Sequence, residues 1–316
     1  MNALVFPGQG SQKVGMAKAI VESASWAAEM ADRTDQILGR PLSALCFEGP
    51  ENALKETTNT QPAIFFASAL LVDAIRRAGF PFGATAGHSL GEYAAIYAAG
   101  AASYEDLLRL VDERARAMET ACPSGTGAMA AVMMLNREQI EAICEEASTE
   151  GVCVVANYNC PGQIVISGEK DAVAKASELA RKKGARRVIP LEVSGPFHSP
   201  LMSGARERLA RVLGGIDFVD SRVPVYTNVD GEPTIKAADL KRKLLDQLTS
   251  SVRWEDSIQR MHQDGFRNFL ELGPSKVVAG LIKKIVPDAN TSFVGEPQAI
   301  LSLPSMGCEN QSASVG

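Results

Sequence analysis

The chain has 316 residues, of which 46% are apolar and 22% are charged, a length and composition that suit one large hydrophobic core with a smaller inserted unit. Its net charge of −5 provides no general attraction for nucleic acid or for an anionic membrane surface. No apolar run reaches the roughly 18 residues of a membrane span, and the segment MNALVFPGQG lacks the basic residues that open a signal peptide. These features predict a cytoplasmic protein that binds neither nucleic acid nor membrane.

The cysteines and histidines show no pattern typical of a metal site. The six cysteines form no C-x-x-C pair, and the three histidines are not spaced with them as metal ligands are. We therefore expect reduced thiols and no bound metal.

The amino-terminal part of the chain alternates between strand and helix signals. NALVF predicts a strand that ends at Pro7, and the following QKVGMAKAIVESAS has helical spacing. TQPAIFFASALLVDAIRRAG predicts a helix that begins at Gln61 and Pro62 and ends at Gly79, because proline suits an early helical position and glycine the position after the end. GATAGHSLGEYAAIYAAG then predicts a strand, a tight turn and a helix. Strands that alternate with helices predict a parallel sheet covered on both faces.

The order of these signals changes at residue 125. From AMAAVMML to RRVIPLEVS the segments read strand, helix, strand, strand, helix, strand, which is the order of a ferredoxin-like unit. Helix and strand signals then alternate again, and the final LSLPSMGCENQSASVG is polar and aperiodic. We predict an α/β fold, with a hydrolase-like parallel sheet flanked by helices in residues 1–124 and 193–293, an inserted ferredoxin-like (βαββαβ) subdomain in residues 125–192, and a flexible tail in residues 294–316.

The segment GHSLG, residues 87–91, is a G-x-S-x-G pattern between a predicted strand and a predicted helix. A sharp strand-to-helix turn requires both glycines, because it leaves no room for side chains beside a serine in a strained conformation. Such a turn exposes Ser89 Oγ and places the Leu90 N–H at a helix amino terminus, where it can stabilise an oxyanion. By pattern alone a helix-capping serine is an alternative, but the strand–turn–helix context favours a nucleophile.

A serine nucleophile requires a base, and the sequence offers three histidines. His88 adjoins the turn and is expected to point away from the face that Ser89 presents, and His262 lies within a predicted helix. His198 lies in SGPFHSP, a loop whose glycine and prolines restrict the backbone after a strand. A surface turn histidine is the alternative for that loop, but the need for a base favours His198.

Two further groups complete a hydrolase-like site. The imidazole must be oriented by a third group, and the carbonyl of Gln247, in the last turn of the helix ending LLDQL, has no partner within that helix. The turn FPGQGSQ after the first strand offers the Gln9 N–H as a second oxyanion donor beside Leu90.

Arg114 is the unusual residue of the helix LLRLVDERARAM, because it falls within the apolar stripe. Burial of a guanidinium is unfavourable unless a partner supplies negative charge and matching hydrogen bonds. A bound carboxylate would be such a partner. A salt bridge within the core, to Glu92 or Asp112, is the alternative, and the residues alone do not decide between the two.

Eight segments of the sequence resemble, in the same order, the malonyl-CoA:acyl carrier protein transacylase family. They are FPGQGSQ, TQPA, GHSLGEYAA, VDERARAM, NYNCPGQIVISG, GPFHSPLM, TNVDGEP and ELGPSKV, and the resemblance extends from residue 1 to about residue 293. The resemblance implies a role for each of nine positions. They are Ser89 (nucleophile), His198 (base), Gln247 (carbonyl orienting the base), Gln9 and Leu90 (oxyanion donors), Arg114 (carboxylate binding), and Gln61, Asn159 and Phe197 (pocket).

The same resemblance implies transfer of a malonyl group from malonyl-CoA to the phosphopantetheine thiol of acyl carrier protein, through a malonyl-Ser89 intermediate and without a cofactor. The product would supply extender units for fatty-acid synthesis. Phe197 resembles the bulky residue of malonyl-selective members, which favours malonyl over methylmalonyl. We expect a monomer.

Other functions fit the same residues. An acyltransferase of a polyketide assembly line would share the fold and site, and an acyl-thioester hydrolase would send the same acyl-serine to water. The alternative that is not an enzyme is a serine-hydrolase-like scaffold that binds acyl chains or partners. The basic run ARKKGARR could dock an acidic carrier protein, although composition alone favours a solvated helix end.

Overall fold

The structure, a computed structural model, describes residues 1–123 and 125–296. The strands are β1 (Asn2–Phe6), β2 (Ala84–Gly87), β3 (Gly127–Met133), β4 (Cys153–Cys160), β5 (Gln163–Glu169), β6 (Arg187–Pro190), β7 (Val225–Tyr226), β8 (Pro233–Thr234), β9 (Asn268–Leu272) and β10 (Asn290–Val294). The α-helices are α1 (Lys18–Ser23), α2 (Ser25–Leu38), α3 (Leu42–Glu48), α4 (Glu51–Lys55), α5 (Thr57–Arg77), α6 (Gly91–Ala98), α7 (Tyr104–Thr120), α8 (Arg137–Ala147), α9 (Lys170–Lys182), α10 (Ser203–Gly214), α11 (Ala237–Asp246), α12 (Trp254–Gln263) and α13 (Val278–Ile285). Short 3₁₀ turns lie at Ser148–Glu150 and Pro200–Met202. In this part of the chain no helix has both the length and the apolar character needed to cross a bilayer.

The larger sheet has the strand order β10-β9-β1-β2-β7-β8 and is parallel except for the pairing of β8 with β7. β1 lies in its interior, with Leu4 opposite Thr85 on one side and Leu270 on the other. Helices pack on both faces and give two apolar clusters, one on each side of the sheet. The predicted α/β fold with a parallel sheet is confirmed. The turns that follow β1 and β2 lie at the carboxyl-terminal edge of this sheet.

The smaller sheet is antiparallel, with the order β4-β5-β3-β6. Helices α8 and α9 cover one of its faces and enclose a core of their own. The strand order and the helix positions match the ferredoxin-like pattern that the sequence predicts. The exact limits of the two units stay a prediction. Val294, assigned to the tail by the sequence, is the buried last residue of β10, and residues 297–316 of that tail lie outside the described residues.

Helix α5 begins earlier than predicted, at Thr57 instead of Gln61, so that Pro62 lies inside it. Proline has no N–H to donate to the carbonyl four residues before it, which here belongs to Thr58. That carbonyl accepts a hydrogen bond from Arg40 Nη2 at 2.9 Å, and the same nitrogen lies 2.5 Å from Asp112 Oδ1. The helix therefore tolerates Pro62 because an arginine from outside it replaces the missing donor.

Several other predicted boundaries are wrong for local reasons. The segment before Lys18 is not helical, since Gly15 and Ala17 have φ values of 91° and 65°. VPVYTNV contributes only the two residues of β7 to the sheet, and the short helices α3 and α4 carried too little periodicity to be recognised.

Backbone hydrogen bonds join the smaller sheet to the segment that follows α11. Val252 N donates to Ala156 O at 2.8 Å, and Tyr158 N donates to Val252 O at 3.0 Å. Val252 thus pairs with β4 as a single residue of a parallel strand. This connection fixes the smaller sheet beside the carboxyl-terminal edge of the larger one.

The substitution Arg40→Ala tests the replacement of the donor missing at Pro62. We expect the free energy of unfolding to fall by about 1–3 kcal/mol, because the half-buried carbonyl of Thr58 and the carboxylate of Asp112 both lose a charged donor. Denaturant titration measures the change. Arg109→Ala is the matched control: this arginine is exposed and lies 3.7 Å from Asp106, so we expect about 0–0.5 kcal/mol. Equal losses would contradict the assignment.

Candidate active site

Ser89 occupies a strained turn between β2 and α6, with a φ of 50°. The flanking glycines permit this turn because the chain segments touch there. A Cβ on Gly87 would lie 1.9 Å from the carbonyl carbon of Gly91, and a Cβ on Gly91 would lie 2.3 Å from Phe6 O. The predicted strand–turn–helix is present, and no other residue fits at either glycine.

His198 lies between the serine and a helix end. Its Nε2 is 2.8 Å from Ser89 Oγ, and its Nδ1 is 2.9 Å from the backbone oxygen of Gln247. A carbonyl oxygen only accepts, so Nδ1 carries the ring proton and Nε2 is left free to accept from the serine hydroxyl. The three residues form the hydrogen-bonded chain that the sequence predicted.

The environment of His198 keeps its imidazole neutral. Burial lowers the pKa of His198 to about 3, and the positive charge of Arg114 acts in the same direction, while the bond to the Gln247 carbonyl opposes both. The ring is therefore an unprotonated base at neutral pH.

The other two histidines occupy different positions. His262 lies in α12, with its Nε2 3.1 Å from Asp288 Oδ2 at the surface. His88 does not point away from the site as expected; it lines the same cavity as Ser89, and its Nε2 lies 2.7 Å from Asn159 Oδ1. The expectation was wrong because the smaller sheet covers this side of the turn.

Arg114 is 1% exposed, and neutral groups surround its guanidinium. Nη1 donates to Gln61 Oε1 at 2.6 Å, while Nη2 donates to Gln247 Oε1 at 3.0 Å and to Ser89 Oγ at 3.2 Å. The guanidinium carbon lies 5.5 Å from the centre of the Tyr93 ring. Burial lowers the pKa of Arg114 below its ordinary value, although an arginine in this position remains charged at neutral pH.

The alternative of a core salt bridge is not what the structure shows. Within residues 1–123 and 125–296, Arg114 has no carboxylate partner, and Asp112 instead pairs with two other arginines. Glu92 is connected to Arg114 only through the side chain of Gln247, whose Nε2 donates to Glu92 Oε2 at 3.2 Å. Arg114 is a buried cation beside the serine that is held by neutral acceptors.

A cavity of about 260 Å³ opens onto Ser89 between the two sheets. All the other predicted site residues except Gln247 line it, and their side chains or backbone bound the space beside the serine: Gln9, Gln61, Leu90, Arg114, Asn159, Phe197 and His198. In the described part of the chain, neither the Gln9 N–H nor the Leu90 N–H donates to another residue. Both amides are free to bind an oxyanion.

Sequence reasoning missed part of the cavity wall and part of its support. Met129 and Val165, on the paired strands β3 and β5, form apolar wall together with Leu191, and only the approach of the small sheet identifies them. Asn228 binds the backbone of Ser89 through its side chain; its segment TNVDGEP was noticed, but not its contact. Over the described residues, no cluster of side chains suited to holding a metal is found.

Comparison with known proteins gives consistent results. A family model described as the acyl transferase domain matches residues 3–296. The chain is 44% identical over 313 residues to a malonyl CoA-acyl carrier protein transacylase of Bacillus subtilis (strain 168), covering 98% of this chain and 99% of that protein. It is 41% identical over 299 residues to the protein of the same name from Escherichia coli (strain K12), covering 94% of this chain and 97% of that one.

Solved structures agree with these relatives. An acyl carrier protein S-malonyltransferase from Vibrio cholerae superposes with a TM-score of 0.93 at 38% identity, covering 95% of this chain and 99% of that one. A malonyl-transacylase in complex with a type II polyketide synthase acyl-carrier protein superposes with a TM-score of 0.92 at 37% identity, covering 95% and 98%.

The low pKa of His198 is testable by NMR. We expect the His198 ring resonances to stay constant between about pH 8 and pH 5, whereas the histidines of the denatured chain titrate near 6.5. The unfolded state binds the extra proton in this window, so the contribution of His198 to stability falls as the pH drops from about 6.5 towards 3. Titration of the His198 ring near pH 6.5 in the folded protein would contradict this prediction.

Proposed function

Because the chain belongs to the malonyl CoA-acyl carrier protein transacylase family of acyltransferases, we propose that it transfers a malonyl group from malonyl-CoA to the phosphopantetheine thiol of an acyl carrier protein. One observation carries the choice of acyl group. Arg114 is buried, has no carboxylate partner in the described residues, and lies 3.2 Å from Ser89 Oγ. A small acyl group that ends in a carboxylate supplies the missing charge.

The first half-reaction loads the serine. His198 Nε2 takes the proton of Ser89 Oγ while Oγ attacks the thioester carbonyl of malonyl-CoA. The oxyanion that forms accepts from the free N–H groups of Gln9 and Leu90. The tetrahedral intermediate then collapses: the C–S bond breaks, His198 gives its proton to the departing sulfur, coenzyme A leaves as its thiol, and malonyl-Ser89 remains.

The short distance between the serine and the arginine suits malonyl in particular. In malonyl-Ser89 the carboxylate carbon lies roughly 2.5 Å from the ester carbonyl carbon, as expected for two successive C–C bonds. Such a carboxylate reaches the Arg114 nitrogen that contacts Oγ in the free site. A longer diacid would have to fold back, and a neutral acyl group would leave the guanidinium without its partner.

The second half-reaction reverses the first. The phosphopantetheine thiol of the carrier gives its proton to His198 and attacks malonyl-Ser89, and the tetrahedral intermediate collapses as His198 returns the proton to Ser89 Oγ. The sequence is ping-pong, and none of its steps requires a metal or a redox cofactor. A single chain supplies every proposed residue, so we expect a monomer. We also expect it to act in the cytoplasm, as its composition predicts.

The product, a malonyl-loaded carrier protein, supplies extender units. The pathway depends on which acyl carrier protein accepts the malonyl group. The curated relatives support fatty-acid synthesis, while the superposition on a malonyl-transacylase bound to a polyketide synthase carrier supports a second candidate with the same chemistry. Comparison of transfer rates to a fatty-acid carrier and to a polyketide carrier separates the two.

Intact-mass measurement after brief mixing with malonyl-CoA or acetyl-CoA tests the proposed function. We expect a malonyl adduct on the wild type that Ser89→Ala abolishes. Arg114→Ala should slow malonyl loading at least about a hundredfold and acetyl loading less than about tenfold, because only malonyl loses charge-assisted hydrogen bonds. The matched control is Arg116→Ala, since Arg116 lies on the same helix, is exposed and pairs with Asp112.

Two outcomes would overturn the proposal. Equal losses for malonyl and acetyl in Arg114→Ala would remove the carboxylate-binding role. When holo carrier protein is added to the loaded wild type, release of free malonate instead of malonyl-carrier would identify a hydrolase.

The proposed selection against methylmalonyl rests on Phe197, which is 5% exposed and lines the cavity. We expect Phe197→Ala to lower the ratio of malonyl to methylmalonyl loading about tenfold, since the ring fills the space that the extra methyl needs. Competition between the two thioesters, read by mass, measures the ratio. Phe266→Ala removes a buried ring remote from the cavity and should reduce stability without changing the ratio. An unchanged ratio in Phe197→Ala would contradict the role.

A further inference from the structure

The turn that presents Ser89 leaves two backbone groups to be satisfied by a side chain. Asn228 Oδ1 accepts from Ser89 N at 2.7 Å, and Asn228 Nδ2 donates to Gly87 O at 2.7 Å. Asn228 is fully buried and follows β7, the strand beside β2. The carbonyl of Gly87 only accepts and the N–H of Ser89 only donates, so the orientation of the amide is unambiguous.

This side chain continues the sheet past the end of its backbone pairing. β2 and β7 pair at Thr85 with Val225 and at Ala86 with Tyr226, and their ladder ends there. An asparagine amide carries one acceptor and donors on one plane, as a peptide group does. Asn228 therefore acts as the next rung and spans the turn in which Ser89 has its positive φ.

Glu92 holds Asn228 from behind. Glu92 lies on α6 with no exposed surface, and its Oε2 accepts from Asn228 N at 2.7 Å. Gln247 Nε2 donates to the same oxygen at 3.2 Å and to Asn228 Oδ1 at 3.3 Å. Asn228 and Gln247 therefore both donate to the buried carboxylate of Glu92. This carboxylate takes no part in the proposed chemical steps.

We propose that Asn228 is a positioning residue that fixes Ser89 in its strained conformation, with Glu92 as the acceptor that fixes Asn228. The inference rests on the proposed function in that Ser89 is the acylated group. Asn228 has no hydrogen bond to Arg114 and does not line the cavity, so we expect its removal to affect the direction of attack more than the recognition of the acyl group. The loss is then the same for charged and neutral acyl groups.

Rapid-quench acylation separates positioning from folding, because the burst amplitude counts competent sites and the burst rate constant reports their geometry. We expect Asn228→Ala to lower the rate constant about ten- to a hundredfold for malonyl-CoA and acetyl-CoA alike, with an amplitude near one acyl group per folded chain. Glu92→Leu should lower it about tenfold, and Glu92→Gln, which keeps an acceptor for Asn228 N, should recover most of that loss.

Thr34→Val is the matched control, since it removes a buried side-chain hydrogen bond in α2 far from the turn. It should lower stability and leave the acylation rate constant unchanged. A reduced amplitude with an unchanged rate constant in Asn228→Ala would overturn the proposal, as would a loss confined to malonyl. If the wild type forms no acyl-Ser89, the proposed function fails; if the wild type loads and Asn228→Ala matches it, only this inference fails.

Discussion

The site depends on one buried charge that has no direct ion pair within the described residues. A guanidinium cannot lose its proton at neutral pH, and Arg114 is buried among the amide oxygens of Gln61 and Gln247 without a carboxylate partner in the described residues. Neutral acceptors hold the cation in place, and the carboxylate of Glu92 interacts with it only at a distance, across the side chain of Gln247. Burial, together with the charge of Arg114, lowers the pKa of His198 and keeps its imidazole unprotonated. In the proposed function, the same charge selects an anionic acyl group and helps to keep the imidazole of His198 neutral.

Gln247 links these two tasks. Its backbone oxygen accepts from His198 Nδ1, while its side-chain oxygen accepts from Arg114. The amide nitrogen completes the arrangement by donating to the backbone of Ser89 and to Glu92. His198, Arg114 and Ser89 are thus all bonded to one residue at the end of helix α11, and a displacement of that helix end would disturb all three together. Because a main-chain oxygen accepts from His198 Nδ1, the hydrogen bonds from Ser89 through His198 to Gln247 include no Asp or Glu side chain.

The features that could be predicted from the sequence are those that depend on residues close together in the chain. The glycines of GHSLG require the turn at Ser89, the apolar stripe of α7 requires Arg114 to be buried, and the end of α11 supplies an unpaired carbonyl. The rest depends on segments distant in the chain. Arg40 reaches Thr58 and so permits Pro62 inside α5, which no local rule foresees. Likewise β7 is too short to show periodicity, so that the contact of Asn228 with the turn appears only in the assembled fold.

The backbone pairing of Val252 with β4 has a mechanical consequence. Val252 follows Gln247 by five residues, and its N–H and carbonyl are both committed to the smaller sheet, at Ala156 and Tyr158. A rotation that widens the cleft would displace the short segment 247–252. This segment begins at Gln247, whose backbone oxygen orients the imidazole of His198. The width of the cleft and the orientation of the imidazole are therefore coupled through five residues of main chain.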